Sequence, residues 1–282
     1  MVIDRRLSND MRKIGIIASS VQVPIISTGP ILDTYSGATH AYSLRKLSSS
    51  YTGPAIQIQR ASDSATLDVG FVGEDLDIAA IESFCTGTVG YVMIIYDQVG
   101  SDDVPSIYFS ATIYDGGLIT ANGKVAVQLN TDDFKNYTVE ISDYIGSSQC
   151  YWVGVLDISL GGDGTLIAID DFGTNYSTLA TFGGGGGLSL RNFTYYSYSF
   201  TTGSDNGSFI IEGVYSSPTS ISYYIDGALG PEDINSVGTY APSGSTVLQL
   251  SAASEYFKEC IVWNTDQSSN RAGIYSNVAA YW

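Results

Sequence analysis

The feature that most limits how this chain can fold is its punctuation. From Asp133 onward, short runs that alternate apolar and polar residues are cut at close intervals by turn-forming residues. The runs include Tyr137 to Ile141, Tyr151 to Ile158, Thr165 to Ile169, Phe209 to Tyr215, Ser220 to Ile225 and Glu259 to Trp263. Between them stand Gly161-Gly162-Asp163-Gly164, Asp205-Asn206-Gly207, Asp226-Gly227 and Pro242-Ser243-Gly244. Alternation with a period of two buries one face of a strand, and many short strands at regular spacing make a sandwich or a jelly roll. Composition agrees, with 21 Tyr and 31 Gly among 282 residues and Ser and Thr as the main polar types. A chain of this length can bury the core of one large all-β domain.

Charge and motif content exclude several classes of function. With 29 acidic residues against 12 basic ones the net charge is -17, which suits no nucleic-acid groove. No stretch reaches the roughly 20 apolar residues of a membrane-spanning helix, so membrane insertion is not expected. Cys85, Cys150 and Cys260 show no metal-ligand spacing and cannot all pair. The five glycines from Gly183 to Gly187 lack the lysine and the strand-to-helix setting of a phosphate loop, and no cofactor is expected. Residues 1–32 differ from the rest. Arg5, Arg6, Arg12 and Lys13 are a third of the 12 basic residues, and the extended run Val21 to Ile26 follows them. A basic segment on an acidic chain reads as a docking arm, dividing the chain into an arm at 1–32 and a sandwich at 33–282. The basic-then-apolar run Met11 to Ala18 is broken at once by Ser19, Ser20 and Gln22, so no export signal is expected.

The most informative stretch is Thr34 to Gly100. Ala41 to Leu47 spaces its apolar residues like a short helical face, and Pro54 then breaks the chain. Ile56, Ile58 and Arg60 alternate with Gln57 and Gln59 as in a strand, and Val69 to Val72 and Val92 to Tyr96 read as two more. Asp102 and Asp103, beside Asp97, offer oxygens to a calcium ion but lack the regular loop spacing of such a site, so no metal is expected. Asn122-Gly123 signals a hairpin. The single histidine, His40, has no nucleophile motif to pair with, which excludes acyl transfer.

The stretch also carries a resemblance. The segments Tyr51-Thr52-Gly53-Pro54-Ala55-Ile56-Gln57-Ile58-Gln59-Arg60, Ser62-Asp63 and Ile94-Ile95-Tyr96-Asp97-Gln98-Val99-Gly100 resemble the front half of the catalytic domain of the family 54 α-L-arabinofuranosidases. With Tyr35-Ser36-Gly37-Ala38, Ala41 to Arg45 and Gly117 to Val127, the pattern is also similar to concanavalin A-like domains of structural proteins of tailed bacteriophages. Either resemblance implies a concanavalin A-like, jelly-roll β-sandwich. The enzyme family implies a cysteine partner for Cys85, but Gly87-Thr88-Val89-Gly90 holds none, which fits a reducing compartment. It also implies a catalytic acid near Leu250 to Ser254, where this chain has no carboxylate; for the second acid Glu140, Glu212 and Asp157 are all open.

The resulting expectation is a structural component of a bacteriophage virion, a decoration, fibre or tail protein without catalytic residues, made in the host cytoplasm. Its partners would be other virion proteins, copies of itself and host-surface glycans bound weakly through avidity, with Tyr96, Asp97 and Trp152 as the glycan-binding residues. The alternative is an active arabinofuranosidase-like glycoside hydrolase.

Overall fold

The computed structural model describes residues 29–106, 110–129, 134–136, 150–158, 164–170, 176–182, 187–192, 196–201, 207–217, 220–229, 247–250 and 255–282, some strand residues by backbone alone. The strands of the first half are β1 (His40–Ser43), β2 (Ile56–Arg60), β3 (Thr66–Val69), β4 (Phe71–Val72), β5 (Asp75–Leu76), β6 (Gly90–Ile95), β7 (Val104–Pro105), β8 (Thr112–Tyr114), β9 (Thr120–Ala121), β10 (Lys124–Val125), β11 (Val127–Leu129) and β12 (Phe134–Asn136). The second half adds β13 (Cys150–Ile158), β14 (Gly164–Asp170), β15 (Tyr176–Phe182), β16 (Gly187–Asn192), β17 (Tyr196–Thr201), β18 (Gly207–Ser217), β19 (Ser220–Ile225), β20 (Ala228–Leu229), β21 (Val247–Leu250) and β22 (Glu255–Trp263).

These strands form a 12-stranded antiparallel sheet, a 6-stranded one and two small hairpin sheets, β4-β5 and β9-β10, so the expected all-β class holds. The main path of the large sheet runs β20-β19-β18-β13-β22-β11-β8-β6-β2-β3, with β1 added to β22 and β7 to β6. The smaller sheet runs β12-β21-β14-β15-β16-β17. The Asn122-Gly123 turn joins β9 to β10 with φ of 51° and 74°, the left-handed geometry that this pair of residues supplies.

The large sheet is apolar on both faces, as its residue pattern requires. Tyr42, Ile56, Ile58, Val92, Ile211, Cys260 and Val262 belong to one core. Ala41, Tyr151, Val153, Val155, Ile261 and Trp263 point the other way and pack with Ile31, Ile274 and Val278 from two helices. Those helices are Ile31–Thr34 and the C-terminal Arg271–Tyr281. The first straddles residue 32, and Ile31 is fully buried. Arg5, Arg6, Arg12 and Lys13, expected to form a docking arm, lie outside the described residues.

The helical expectation for Ala41 to Leu47 was wrong. His40–Ser43 is a strand, buried at all four positions, whose partners are Val262 to Glu259 of β22. A strand covered on both faces has no alternation, and its apolar residues imitate a short helical face. The run expected from Val69 to Val72 is broken at Gly70 into β3 and β4. Helix Ile78–Cys85 was not anticipated, although Asp77 caps it by accepting a 3.0 Å hydrogen bond from the Ala80 amide.

The C-terminal helix reaches the sheet through a glycine. A Cβ on Gly273 would lie 2.0 Å from the Tyr35 phenol oxygen and 2.9 Å from its Cζ, and the Tyr35 carbonyl accepts a 3.1 Å hydrogen bond from the Trp263 indole. Alanine normally stabilises a helix interior over glycine by about 1 kcal/mol. Here Gly273→Ala is expected to destabilise by about 1–3 kcal/mol through overpacking. Denaturant midpoints should show that loss, and Tyr35→Ala in the same chain should recover part of it.

Candidate functional site

Two of the three expected glycan-binding residues, Tyr96 and Asp97, follow β6 directly, and the structure gives them different settings. Tyr96 is half-buried and donates a 2.8 Å hydrogen bond to the exposed Asp68 carboxylate, which also accepts from the Gln57 amide at 2.9 Å. Tyr51 stands near, donating to the Pro54 carbonyl at 2.7 Å. Burial, then the charges of Asp103 and Asp97, push the Tyr51 phenol up to about 12, and burial and Asp68 raise Tyr96 as well. Both phenols therefore keep their protons at neutral pH and act as donors.

Asp97 is buried, at 2% exposure, and its Oδ1 accepts from the amides of Ala41 at 2.9 Å and Val99 at 3.1 Å. Its Oδ2 lies 3.7 Å from His40 Nδ1, and Asp102 Oδ2 lies 3.8 Å from the same nitrogen. Asp103 accepts from the Asp97 amide at 3.0 Å, and burial, together with the charges of Asp97 and Asp102, raises its carboxyl. Trp152 is described by its backbone, which lies in one lateral row with Val262 and His40. Two strand spacings separate it from His40, roughly 10 Å.

A second constellation fixes the C-terminal helix. Arg45 grips Glu259 with two bonds, Nε to Oε2 at 2.7 Å and Nη2 to Oε1 at 2.9 Å, and gives Nη1 to the Asn277 side chain at 2.9 Å. Ser43 at 2.9 Å and the Trp282 indole at 3.1 Å complete the shell of Glu259. On the same face Glu212 is fully buried; it accepts from the Tyr151 phenol at 2.5 Å and from Arg271 at 3.0 Å. Burial raises the Glu212 carboxyl despite these partners. Of the carboxylates weighed for catalysis, Glu212 is thus committed to holding the helix, Glu140 lies outside the described residues, and Asp157 is described by backbone alone.

Between helix Ile78–Cys85, the β9–β10 hairpin and the chain's last residues lies a cleft of about 450 Å³, lined by Leu76, Ile78, Lys124, Val125, Tyr281 and Trp282. Arg45 and Lys124 each lie over the Tyr281 ring, 4.9 Å and 4.2 Å from its centre, and the Tyr281 hydroxyl donates to Asp75 at 2.6 Å.

The two antiparallel sheets define a concanavalin A-like β-sandwich. Residues 33–175, half of the chain, match the family model for the alpha-L-arabinofuranosidase B catalytic domain, and the chain belongs to that family. The probable alpha-L-arabinofuranosidase B of Aspergillus fumigatus is 40% identical over 96 residues, 29% of this chain and 19% of that protein. The alpha-L-arabinofuranosidase B of Penicillium canescens is 37% identical over 93 residues, 31% of this chain and 19% of the relative. The match therefore spans about a fifth of the length of these curated relatives. A crystal structure of an arabinofuranosidase complexed with arabinofuranosyl-alpha-1,2-xylobiose shares the fold, with a TM-score of 0.55 at 19% identity over 89% of this chain and 65% of that one.

These findings overturn the expected virion component. The family and the relatives are glycoside hydrolases, and nothing in them supports a tail fibre, capsid decoration or host-attachment protein, virion partners or a virion location. They also overturn the expectation of a chain without catalytic function. That expectation rested on one aspartate sought near Leu250 to Ser254, and residues 251–254 lie outside those described. A sandwich pattern reports the scaffold and not its use.

Arg45→Met should leave Glu259 buried without its main partner and cost about 3–5 kcal/mol in chemical denaturation. Arg271→Met should cost less, because Arg271 is 21% exposed in its side chain. Glu212 has a native pKa above its unfolded value of 4.5, so its contribution to stability is fully present below 4.5 and is lost as the pH rises through the native value. The advantage of the wild type over Glu212→Gln should accordingly widen as the pH falls from neutrality toward 4.5, measured by denaturant midpoints at each pH.

Proposed function

We propose that this chain is a glycoside hydrolase that releases α-L-arabinofuranosyl groups from glycans. The observation that carries the reading is its membership, over residues 33–175, in the family of that catalytic domain. The names of its relatives, alpha-L-arabinofuranosidase B, supply the substrate class. Hydrolysis of a glycosidic bond needs two carboxyl groups flanking it, one to protonate the leaving oxygen and one to act as nucleophile or to activate water. Glu212 is engaged by Arg271 as Glu259 is by Arg45, which favours Glu140 or Asp157, among the three carboxylates weighed in the sequence, for the second of those two acids. Tyr96, with Asp68 and Tyr51, is assigned to sugar contact, where a neutral phenol and a carboxylate supply one donor and one acceptor side by side.

The test is release of nitrophenol from 4-nitrophenyl α-L-arabinofuranoside by the full chain. Release above the uncatalysed rate is expected, and Asp157→Asn or Glu140→Gln should lower it by about 10²-fold to 10⁴-fold. Absence of release from this substrate and from arabinose-bearing polysaccharides would sink the reading. Tyr96→Ala should raise KM while leaving kcat within about twofold, as expected for a group that binds ground state and transition state alike.

A further inference from the structure

We propose that His40, Asp97 and Asp102 form a binding site for a divalent transition-metal ion of the zinc class. One imidazole nitrogen and two carboxylate oxygens lie within 4.8 Å of one another. The His40 Nδ1 distances to the two carboxylates, 3.7 and 3.8 Å, exceed by a few tenths the ligand separation of about 3.4 Å implied by zinc bonds near 2.0–2.1 Å in a tetrahedron. A small closure of the half-buried Asp102, whose side chain is 40% accessible, brings the three into range.

The independent observation is the state of Asp97. Its side chain has no accessible surface, and its Oδ2 accepts no hydrogen bond among the described residues while facing His40. A buried carboxylate oxygen without a donor costs free energy, and a cation supplies what is missing. The backbone keeps room beside that oxygen, since a Cβ on Gly100 would stand 2.7 Å from it. The charge balance points the same way, because two carboxylates, Asp97 and Asp102, face one imidazole, and a third, Asp103, accepts from the Asp97 amide. The imidazole decides the class of ion: calcium and magnesium take oxygen ligands, whereas nitrogen with carboxylate suits zinc and its neighbours. Two residues beyond β6, a bound ion would fasten the acidic turn at Asp97 to Asp103 onto the start of β1. Its three protein ligands would leave one position to water.

His40 is the single histidine of the chain, so an untagged protein gives one imidazole signal in NMR. One equivalent of Zn²⁺ should shift that signal and remain bound through dialysis, while equal Ca²⁺ or Mg²⁺ should leave it in place. Asp102→Asn should weaken zinc binding at least tenfold, and His40→Gln should abolish it. An imidazole signal unmoved by stoichiometric Zn²⁺, or zinc binding of equal strength in wild type and Asp102→Asn, would overturn the site. If His40→Gln does not fold, the wild-type imidazole and the variant at the half-buried Asp102 still decide the matter. None of these readouts depends on hydrolase activity.

Discussion

The bidentate pair between Arg45 and Glu259 is the interaction on which the rest of the structure depends. Both side chains are almost wholly buried, and a buried ion pair is stabilising only when geometry and surrounding hydrogen bonds offset the loss of water. Here they do so through Ser43, Asn277 and Trp282, which fill the remaining sites on the two ions. The pair joins three parts of the chain that are distant in sequence: the segment after β1, strand β22 and the C-terminal helix. Asn277 extends the network to the carbonyl of Gly29, so the beginning of the described chain is held by its end. Glu212, Tyr151 and Arg271 repeat the arrangement further along the same helix. Two buried carboxylates therefore serve to specify where a helix sits.

The residues after β6 show how one short segment can serve several ends. Gln98 uses its side chain to accept from the Leu47 amide at 2.8 Å and to donate to the Arg45 and Ser43 carbonyls, holding the loop from which the buried arginine projects. Asp97 caps the amide of Ala41 in β1. Tyr96, one residue earlier, faces outward to Asp68. Three consecutive residues thus orient the ion pair, pin a strand and furnish an accessible phenol. The dense set of specific partners gives a physical reason for this segment to keep a recognisable motif, because each side chain has a partner that a merely apolar or merely polar substitute would not satisfy.

Much of the architecture was legible because strand period and turn chemistry are local. The Asn122-Gly123 hairpin and β2 follow from rules that need only a few neighbouring residues. β1 was misread because a strand enclosed between two cores has lost the alternation that identifies strands. The C-terminal helix escaped notice for a related reason: its stabilisation comes from Arg271 and Asn277 meeting partners far away in sequence, with Gly273 required by contact with Tyr35. At the site, Tyr96 and Asp97 were singled out by type, but sequence alone could not show that one is half-buried and the other sealed. His40 drew no functional reading, since its neighbours Asp97 and Asp102 come near only when β1 is laid beside the end of β6.

The fold extends further along the chain than the family pattern. Similarity in structure covers 89% of the chain at 19% identity, whereas the family model stops at residue 175. A sandwich strand asks only that apolar side chains of suitable volume alternate in register, a demand many sequences meet. The segment from Thr34 to Gly100 must instead place an arginine, a glutamine and an aspartate against particular partners. Yet Glu259 and Asn277, which complete the arginine's shell, stand well beyond residue 175. The hub is therefore built from both sides of the boundary of sequence similarity, and the C-terminal strand and helix belong physically to the domain whose signature lies in its first half.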